Sequence, residues 1–217
     1  MEQSEILKQY FGYDSFRPGQ AEIIQAILQG RDCLAIMPTG AGKSMCFQIP
    51  ALLMDGVCIV ISPLISLMKD QVDALRQMGI AAAFINSSLT ASQTYKALDN
   101  ARNGDYKIIY VAPERLEAPS FINFAQTANI SMVAVDEAHC VSHWGQDFRP
   151  SYLYIKNFVE QLPKRPILTA FTATATGQVK DDIAKMLGLN EPFTLSTGFN
   201  REICTLKSAS QLENLQN

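Results

Sequence analysis

The chain has 217 residues, 47% of them hydrophobic and 18% charged, a composition typical of a folded domain that buries a sizeable core. No apolar run is long enough to span a bilayer, and the acidic residues 1–5 are unlike a secretory signal, so we expect a cytoplasmic protein, nucleoid-associated if bacterial. The formal net charge of −3 and the pI near 5.4 exclude a protein that grips nucleic acid through bulk electrostatics.

Short β-rich apolar runs alternate along the chain with longer segments of helical period. This alternation predicts βαβ units, and therefore an α/β fold with a mostly parallel central sheet and helices on both faces. The predicted strands span residues 33–37, 57–61, 82–85, 107–111, 132–135 and 167–171. The predicted helices span residues 18–28, 43–53, 64–78, 91–101 and 178–187. In the third helix the spacing predicts one apolar face, formed by Leu64, Leu67, Met68, Val72 and Leu75.

The cysteines indicate neither a disulfide framework nor a metal site. They are odd in number, lie mostly in apolar runs and include no C-x-x-C pair, so reduced core thiols are predicted. Their positions are Cys33, Cys46, Cys58, Cys140 and Cys204. A pair formed by His139 and His143 lacks a third ligand at suitable spacing, and no zinc is predicted.

The stretch Met37-Pro38-Thr39-Gly40-Ala41-Gly42-Lys43-Ser44, here called the phosphate loop, lies between the first predicted strand and a helix. Backbone N–H groups of its small residues and the helix N-terminus would face phosphates. Lys43 would reach the β- and γ-phosphates, and the Ser44 hydroxyl would ligate Mg²⁺. The pattern G-x-x-x-x-G-K-[ST] has Gly where this chain has Met37, and the alternative is a glycine turn with an incidental lysine. The predicted nucleotide-binding residues of this loop are Thr39, Gly40, Ala41, Gly42, Lys43 and Ser44.

Two acids, Asp136 and Glu137, follow a hydrophobic strand further along the chain. A parallel strand brings the residues at its carboxyl end to the edge of the sheet where the phosphate loop lies. Asp136 is then predicted to hold Mg²⁺, and Glu137 to orient or deprotonate the attacking water. An acidic helix N-cap is the alternative, and the upstream phosphate loop favours the catalytic interpretation.

The stretch Trp144-Gly145-Gln146-Asp147-Phe148-Arg149-Pro150, here called the aromatic loop, comes directly after these acids. Trp144 and Phe148 flank an aspartate beside Arg149, which suits stacking of an unpaired base with a cation for its phosphate. The alternative places Trp144 in the core. The polar neighbours of Trp144 favour a surface position.

The order of these motifs resembles that of superfamily 2 helicases, and within them the RecQ family of DNA helicases. Residues 16–20 resemble that family's segment ahead of the phosphate loop, and this resemblance implies that Tyr13 stacks on adenine while Arg17 and Gln20 recognise its edge. The superfamily's phosphate loop does not restrict its first position to Gly, which accounts for Met37. Residues 136–139, here called the acidic box, match the Walker B box. The implied catalytic residues are Lys43, Asp136, Glu137 and His139.

Further segments resemble the family's nucleic-acid motifs. Residues 62–71 and 112–115 are similar to two motifs that touch the nucleic-acid backbone, and residues 172–175 to the segment that links hydrolysis to the bound strand. The aromatic loop resembles a loop peculiar to the RecQ family, with Gln146 where that family usually has His. The implied nucleic-acid-binding residues are Ser62, Pro63, Leu64, Lys69, Arg115, Trp144, Phe148, Arg149, Thr172 and Thr174.

The resemblance implies a RecA-like P-loop NTPase domain over residues 1–207 and a polar tail or linker over residues 208–217. This domain would use ATP and Mg²⁺ in a 3′–5′ DNA helicase that translocates along single strands and unwinds partly duplex DNA in repair and recombination. Helicases of this kind also need a second RecA-like domain, whose entry residues 199–201 resemble. We therefore expect a piece of a longer protein that is weakly active alone.

Three alternatives stay open at this point. The first is a superfamily 2 RNA helicase or remodeller, which the aromatic loop disfavours. The second is a non-catalytic nucleotide-binding module. A small-molecule P-loop kinase is a further alternative, but it would not need residues 62–71 or the aromatic loop.

Overall fold

Seven parallel strands form one sheet in the computed structural model, which describes residues 2–197. They are β1 (Cys33–Ile36), β2 (Val57–Ile61), β3 (Ala82–Ile85), β4 (Ile108–Val111), β5 (Ile130–Val135), β6 (Ile167–Thr172) and β7 (Phe193–Ser196). Their order across the sheet is β3-β4-β2-β5-β6-β1-β7. The central strands are apolar and buried on both faces, as a parallel sheet covered on two sides requires. The predicted α/β class and the six predicted strands are confirmed, and β7 is an addition.

Helices cover both faces of this sheet, as predicted. They are α1 (Gln3–Phe11), α2 (Gln20–Leu28), α3 (Lys43–Leu53), α4 (Ile65–Gln77), α5 (Ala91–Arg102), α6 (Pro119–Thr127), α7 (Tyr154–Glu160) and α8 (Gly177–Leu187). Helices α2, α3 and α4 share a hydrophobic core with one face, and α5 to α8 share a second core with the other. Helix α1 packs outside the first layer, where Ile6 and Leu7 contact Ile24 and Ile49.

Helix α4 differs at its start from the prediction. Met68, Val72 and Leu75 are buried against the sheet, as the spacing predicts. Leu64, in contrast, is the N-cap residue and is 43% exposed, so its place on the apolar face was predicted wrongly. The physical reason is that the backbone at Leu64 is still extended, which turns its side chain away from the face that the helix buries.

Of the predictions for the cysteines, the core positions are confirmed for the four that the structure describes. Cys33, Cys46, Cys58 and Cys140 are buried and free. Residues 199–201, Cys204 and the predicted tail 208–217 lie outside the described residues. Among the helices of residues 2–197, none has the length and apolar character needed to cross a membrane.

The carboxyl ends of five neighbouring strands carry the motifs that the sequence singled out. Ser62 follows β2, Arg115 lies in a 3₁₀ turn after β4, and Asp136 follows β5. Thr172 ends β6, and the phosphate loop follows β1. Since β4, β2, β5, β6 and β1 are consecutive in the sheet, the motifs form one row along a single edge.

Candidate active site

The phosphate loop has the backbone shape that its glycines permit. Gly40 and Gly42 have φ values of 82° and 80°, in the left-handed region that residues with a Cβ avoid. Helix α3 begins directly after Gly42, so its N-terminal N–H groups and the positive end of its dipole face the loop. The Lys43 Nζ donates a hydrogen bond to the carbonyl oxygen of Met37 at 3.2 Å, which places the ammonium inside the loop.

Gln20 and Arg17 hold the phosphate loop from outside. The buried Gln20 Nε2 donates to the carbonyl oxygens of Ala41 and Gly42 at 3.2 and 3.1 Å, and its Oε1 accepts the Arg17 N–H at 2.9 Å. The Arg17 guanidinium donates to the carbonyl oxygen of Gly40. A Cβ on Gly42 would lie 2.5 Å from Gln20 Nε2, so a side chain there would displace the Gln20 amide as well as strain the positive φ. Sequence reasoning missed this supporting role, because it depends on contacts between residues about twenty positions apart.

Adenine recognition by Tyr13, Arg17 and Gln20 stays a prediction. Tyr13 is 48% exposed in the segment between α1 and α2, so its ring is available for stacking. The Gln20 amide, however, is already engaged by the phosphate loop and by Arg17. Any contact that Gln20 makes with a base would share these donors and acceptors.

The acidic box begins with a tightly held backbone. The Asp136 N–H donates to the carbonyl oxygen of Ile61 at 2.8 Å, and the Asp136 Oδ1 accepts the Glu137 N–H at 3.0 Å. Tyr152, which is buried, donates its hydroxyl to the carbonyl oxygen of Asp136 at 2.9 Å. Glu137 has a φ of 47°, a strained value for a residue with a side chain. It is the N-cap residue of a 3₁₀ turn but makes no side-chain cap, which disfavours the alternative of a simple helix N-cap.

The electrostatics of the two acids fit a cation site. Burial, and then the nearby Glu137 carboxylate, raise the pKa of Asp136 to about 6. The Lys43 ammonium favours the ionised form of both acids and so lowers the pKa of each, as expected if the phosphate loop lies close to the acidic box. Carboxylate and hydroxyl oxygens are donors of the kind that Mg²⁺ prefers. By this chemistry Asp136 and Ser44 suit the metal role predicted for them, which stays a prediction.

His139 connects the acidic box to the end of strand β6. Its Nδ1 lies 3.0 Å from the Thr172 Oγ1 and 3.3 Å from the Glu137 Oε2. Hydrogen bonds to the Cys140 sulphur and to the Glu137 carboxylate raise the pKa of His139 to about 10, which favours a protonated ring beside this carboxylate. The same contact lowers the pKa of Glu137. The Thr172 hydroxyl in turn donates to the carbonyl oxygen of Thr174 at 3.1 Å.

The aromatic loop presents Trp144 to solvent. Trp144 is 70% exposed, which excludes the alternative of a core aromatic. Phe148 stacks on His143 with ring centroids 3.7 Å apart, so it supports the loop from within. The Arg149 guanidinium donates to the Asp147 carboxylate at 2.8 Å and to the carbonyl oxygen of Pro63 at 3.0 Å, and so links this loop to the segment after β2.

The other implied nucleic-acid residues divide into exposed and buried ones. Leu64, Lys69 and Thr174 are exposed at the same edge of the sheet. Ser62 and Thr172 are buried, so their side chains do not reach the surface in this structure. Arg115 is partly buried and donates to the carbonyl oxygen of Asn86 at 3.1 Å, which ties the segments after β3 and β4 together.

Comparison with known proteins places the chain in a family. The model of the DEAD/DEAH box helicase family matches residues 17–183. An ATP-dependent DNA helicase RecQ of Bacillus subtilis is 51% identical over 203 residues, covering 93% of this chain and 34% of the relative. A RecQ of Pasteurella multocida is 46% identical, over 91% of this chain and 31% of the relative. A protein of Acanthamoeba polyphaga mimivirus named as an ATP-dependent RNA helicase is 43% identical, over 98% of this chain and 39% of its own length.

Solved structures confirm the predicted RecA-like helicase fold. The DNA-bound DUF1998 helicase MrfA superimposes with a TM-score of 0.71 at 16% identity, over 91% of this chain and 29% of that one. An ATP-dependent RNA helicase from Sulfolobus tokodaii gives a TM-score of 0.66 at 21% identity, over 89% of this chain and 56% of that one. The chain spans about a third of the length of the RecQ relatives it matches. With the resemblance to RecQ helicases confirmed by these identities, the chain belongs to the DEAD/DEAH box helicase family.

Proposed function

We propose that the chain is the first motor domain of an ATP-dependent, RecQ-like DNA helicase. It would couple ATP hydrolysis to 3′–5′ movement along single-stranded DNA and to unwinding of partly duplex DNA in repair and recombination. A second RecA-like domain would complete the motor, and a cytoplasmic location, on the nucleoid in a bacterium, would follow from the substrate. The domain boundary at residue 207 belongs to this proposal.

The observation that supports this proposal most is a chain of contacts that runs from Glu137 in the acidic box to the cleft beside Trp144. Glu137 contacts His139, His139 contacts Thr172, and Thr172 hydrogen-bonds to the backbone of Thr174. Thr174 lines a cleft together with Trp144 and Gln146. A base stacked on Trp144 would therefore lie beside residues whose positions are tied to the catalytic acid.

In hydrolysis the chain's own groups divide the work. Backbone N–H groups of the phosphate loop and Lys43 bind and orient the triphosphate. Glu137, kept as a carboxylate by His139, accepts a proton from the attacking water. Asp136 and Ser44 would hold Mg²⁺, and the metal would neutralise charge on the phosphate oxygens.

The two remaining alternatives make different forecasts. One relative, from a mimivirus, is named as an RNA helicase, so RNA is the alternative substrate. If RNA is the substrate, it should stimulate ATP hydrolysis more than single-stranded DNA does. A non-catalytic module would bind ATP without turnover even with a second motor domain present. The aromatic loop favours DNA, since it resembles the loop of the RecQ family.

The test is ATP hydrolysis by the full-length protein, measured alone, with single-stranded DNA and with RNA of the same sequence. Stimulation by DNA is expected, and the variant Glu137→Gln should bind ATP normally but lose turnover, since an amide cannot take the proton. The matched control is Glu117→Gln, which changes an exposed glutamate outside the acidic box. Stimulation by RNA alone, or normal turnover by Glu137→Gln, would contradict the proposal.

A further inference from the structure

Ser142 lies in the turn between the acidic box and the aromatic loop, and its hydroxyl both donates and accepts a hydrogen bond. The side chain is fully buried. Its Oγ donates to the Asp182 Oδ2 on helix α8 at 2.6 Å and accepts the backbone N–H of Trp144 at 3.1 Å. A hydrogen bond to a carboxylate at this distance is of the strong, charge-assisted kind. Asp182 therefore fixes the Ser142 hydroxyl, and the hydroxyl fixes the backbone that carries Trp144.

This turn is pressed against the acidic box. The Gly145 N–H donates to the carbonyl oxygen of Ser142 at 3.0 Å, and a Cβ on Gly145 would lie 2.2 Å from the carbonyl oxygen of His139. At the far end of the loop, the Arg149 N–H donates to the carbonyl oxygen of Cys140 at 2.8 Å. The backbone on both sides of Trp144 thus contacts the residues that position Glu137, so displacement of the loop must disturb them.

Helix α8 connects the same turn to the other end of the hydrogen-bonded path. It begins just after the segment that contains Thr172 and Thr174, and its buried residues Val179 and Ile183 share a core with Cys140. Asp182 lies on this helix, on the side that faces Ser142. The aromatic loop and residues 172–174 are therefore held to one rigid element.

We propose that Asp182 is a positioning residue, which through Ser142 sets the turn that presents Trp144 and so couples strand binding to hydrolysis. The inference rests on the proposed function, since it presumes hydrolysis stimulated by a nucleic-acid strand. Without the carboxylate, the buried Ser142 hydroxyl loses its acceptor and its orientation toward the Trp144 N–H is no longer fixed. The turn that carries Trp144 would then be held less firmly, although the backbone contacts of Gly145 and Arg149 with the acidic box remain.

The first measurement tests directly whether Asp182 restrains the motion of Trp144. Trp144 is the single tryptophan of the 217-residue chain, so its fluorescence anisotropy decay needs no label. Asp182→Ala and Ser142→Ala should each enlarge the fast component of this decay. Asp182→Asn should preserve most of the wild-type signal, because the amide oxygen can still accept. The control is Asp181→Ala, which removes the same charge from an exposed neighbour on the same helix.

The second measurement reports coupling in the full-length protein. Asp182→Ala should lower stimulation of ATP hydrolysis by single-stranded DNA about twofold to thirtyfold, the range by which residues between two sites typically change their coupling. The rate without DNA and the affinity for ATP should stay within about twofold, since Asp182 touches no nucleotide-binding group. Asp182→Asn should keep most of the stimulation, and Asp181→Ala all of it.

The possible outcomes distinguish failure of the role proposed for Asp182 from failure of the proposed helicase function. An unchanged Trp144 decay in Asp182→Ala, or a changed decay with normal stimulation, would overturn the role of Asp182. Equal loss of stimulated and unstimulated rates would show a merely structural role and would overturn it as well. A wild-type protein that no DNA strand stimulates would contradict the proposed function instead, and the decay would still decide whether Asp182 holds Trp144.

Discussion

Asp136 is a buried carboxylate whose raised pKa bears on the stability of the fold. Its pKa is raised to about 6 from an ordinary value of 3.8, so the folded state binds this proton more readily than the unfolded state does. Ionisation of Asp136 therefore lowers the free energy of unfolding above pH 6, and this destabilisation disappears as the pH falls from 6 towards 4. A bound cation would offset the same destabilisation.

We predict that Asp136→Asn is more stable than the wild type at pH 7.5 in EDTA, by about 1–2 kcal/mol. The amide oxygen can still accept the Glu137 N–H, so the hydrogen bond is retained. Thermal melting should show a rise of about 2–8 °C at pH 7.5 that vanishes near pH 4. The variant should also lose Mg²⁺-dependent ATP binding. Asp181→Asn serves as control, and an equal shift in that variant, or a shift that persists at pH 4, would contradict the explanation.

Gln20 contacts the phosphate loop in the structure, whereas the family resemblance implies that it contacts adenine. Because its amide holds the phosphate loop, Gln20→Ala should weaken ATP and GTP alike, about tenfold for the loss of a buried hydrogen-bonded group. If Gln20 also recognises adenine, Gln20→Ala should in addition reduce the preference for ATP over GTP relative to the wild type. Calorimetry with both nucleotides separates these effects, and Gln25→Ala on the exposed side of the same helix is the control. Unchanged ATP affinity would argue against loop support, and an unchanged ratio against adenine recognition.

At the scale of elements, the sequence predicts the buried strands and misses the short or peripheral pieces. Strand β7 alternates between half-buried and exposed residues at the edge of the sheet, so it lacks the continuous apolar run of the other strands. Helix α7 has seven residues, about two turns, which is too short for a helical period to stand out. Helix α6 opens on a proline within a loop-like stretch.

The candidate site was predictable as a set of motifs but not as a set of contacts. Lys43 and Asp136 follow strands, and parallel topology brings the ends of strands together whatever the details of packing. The contacts of Gln20 with Ala41, of Arg149 with Pro63 and of His139 with Thr172 join residues 21, 86 and 33 positions apart. Local patterns in the sequence carry no information on pairs at such separations. Under the proposed function, these are the contacts that would link strand binding to hydrolysis.

The aromatic loop and the core should respond differently to the loss of an aromatic ring. Trp144→Ala removes a largely exposed side chain, so its melting temperature should stay near that of the wild type while DNA stimulation falls. Phe121→Ala, which empties a buried site beside Phe124 and Phe158, should cost ~3–5 kcal/mol. Melting of both variants, with ATPase assays of Trp144→Ala with and without DNA, tests this contrast. Unchanged DNA stimulation in Trp144→Ala would contradict the proposal that a strand stacked on Trp144 affects hydrolysis.

For the whole molecule, charge and topology together limit how the strand can be held. A net charge of −3 gives little general attraction for a polyanion, so the proposed strand binding would depend on local cations such as Lys69, Arg115 and Arg149. The phosphate loop follows β1 at the same strand-end edge of the sheet where Arg115 follows β4. Under the proposed function, this edge would bind both nucleotide and strand, but by itself it offers no second surface against which to move the strand.

The last prediction follows from this arrangement: residues 1–217 alone should bind ATP but hydrolyse it slowly and separate no duplex. An arginine supplied by a partner domain can be worth ~10³–10⁵ in rate in related phosphoryl-transfer systems. Turnover by the chain alone should be compared with turnover by the chain joined to its second motor domain, using Lys43→Ala to measure background from contaminating enzymes. Unwinding should be assayed on a duplex with a 3′ single-stranded tail. Strand separation by residues 1–217 at a rate well above that of the Lys43→Ala variant would show that one RecA-like domain suffices, and would contradict the need for a second.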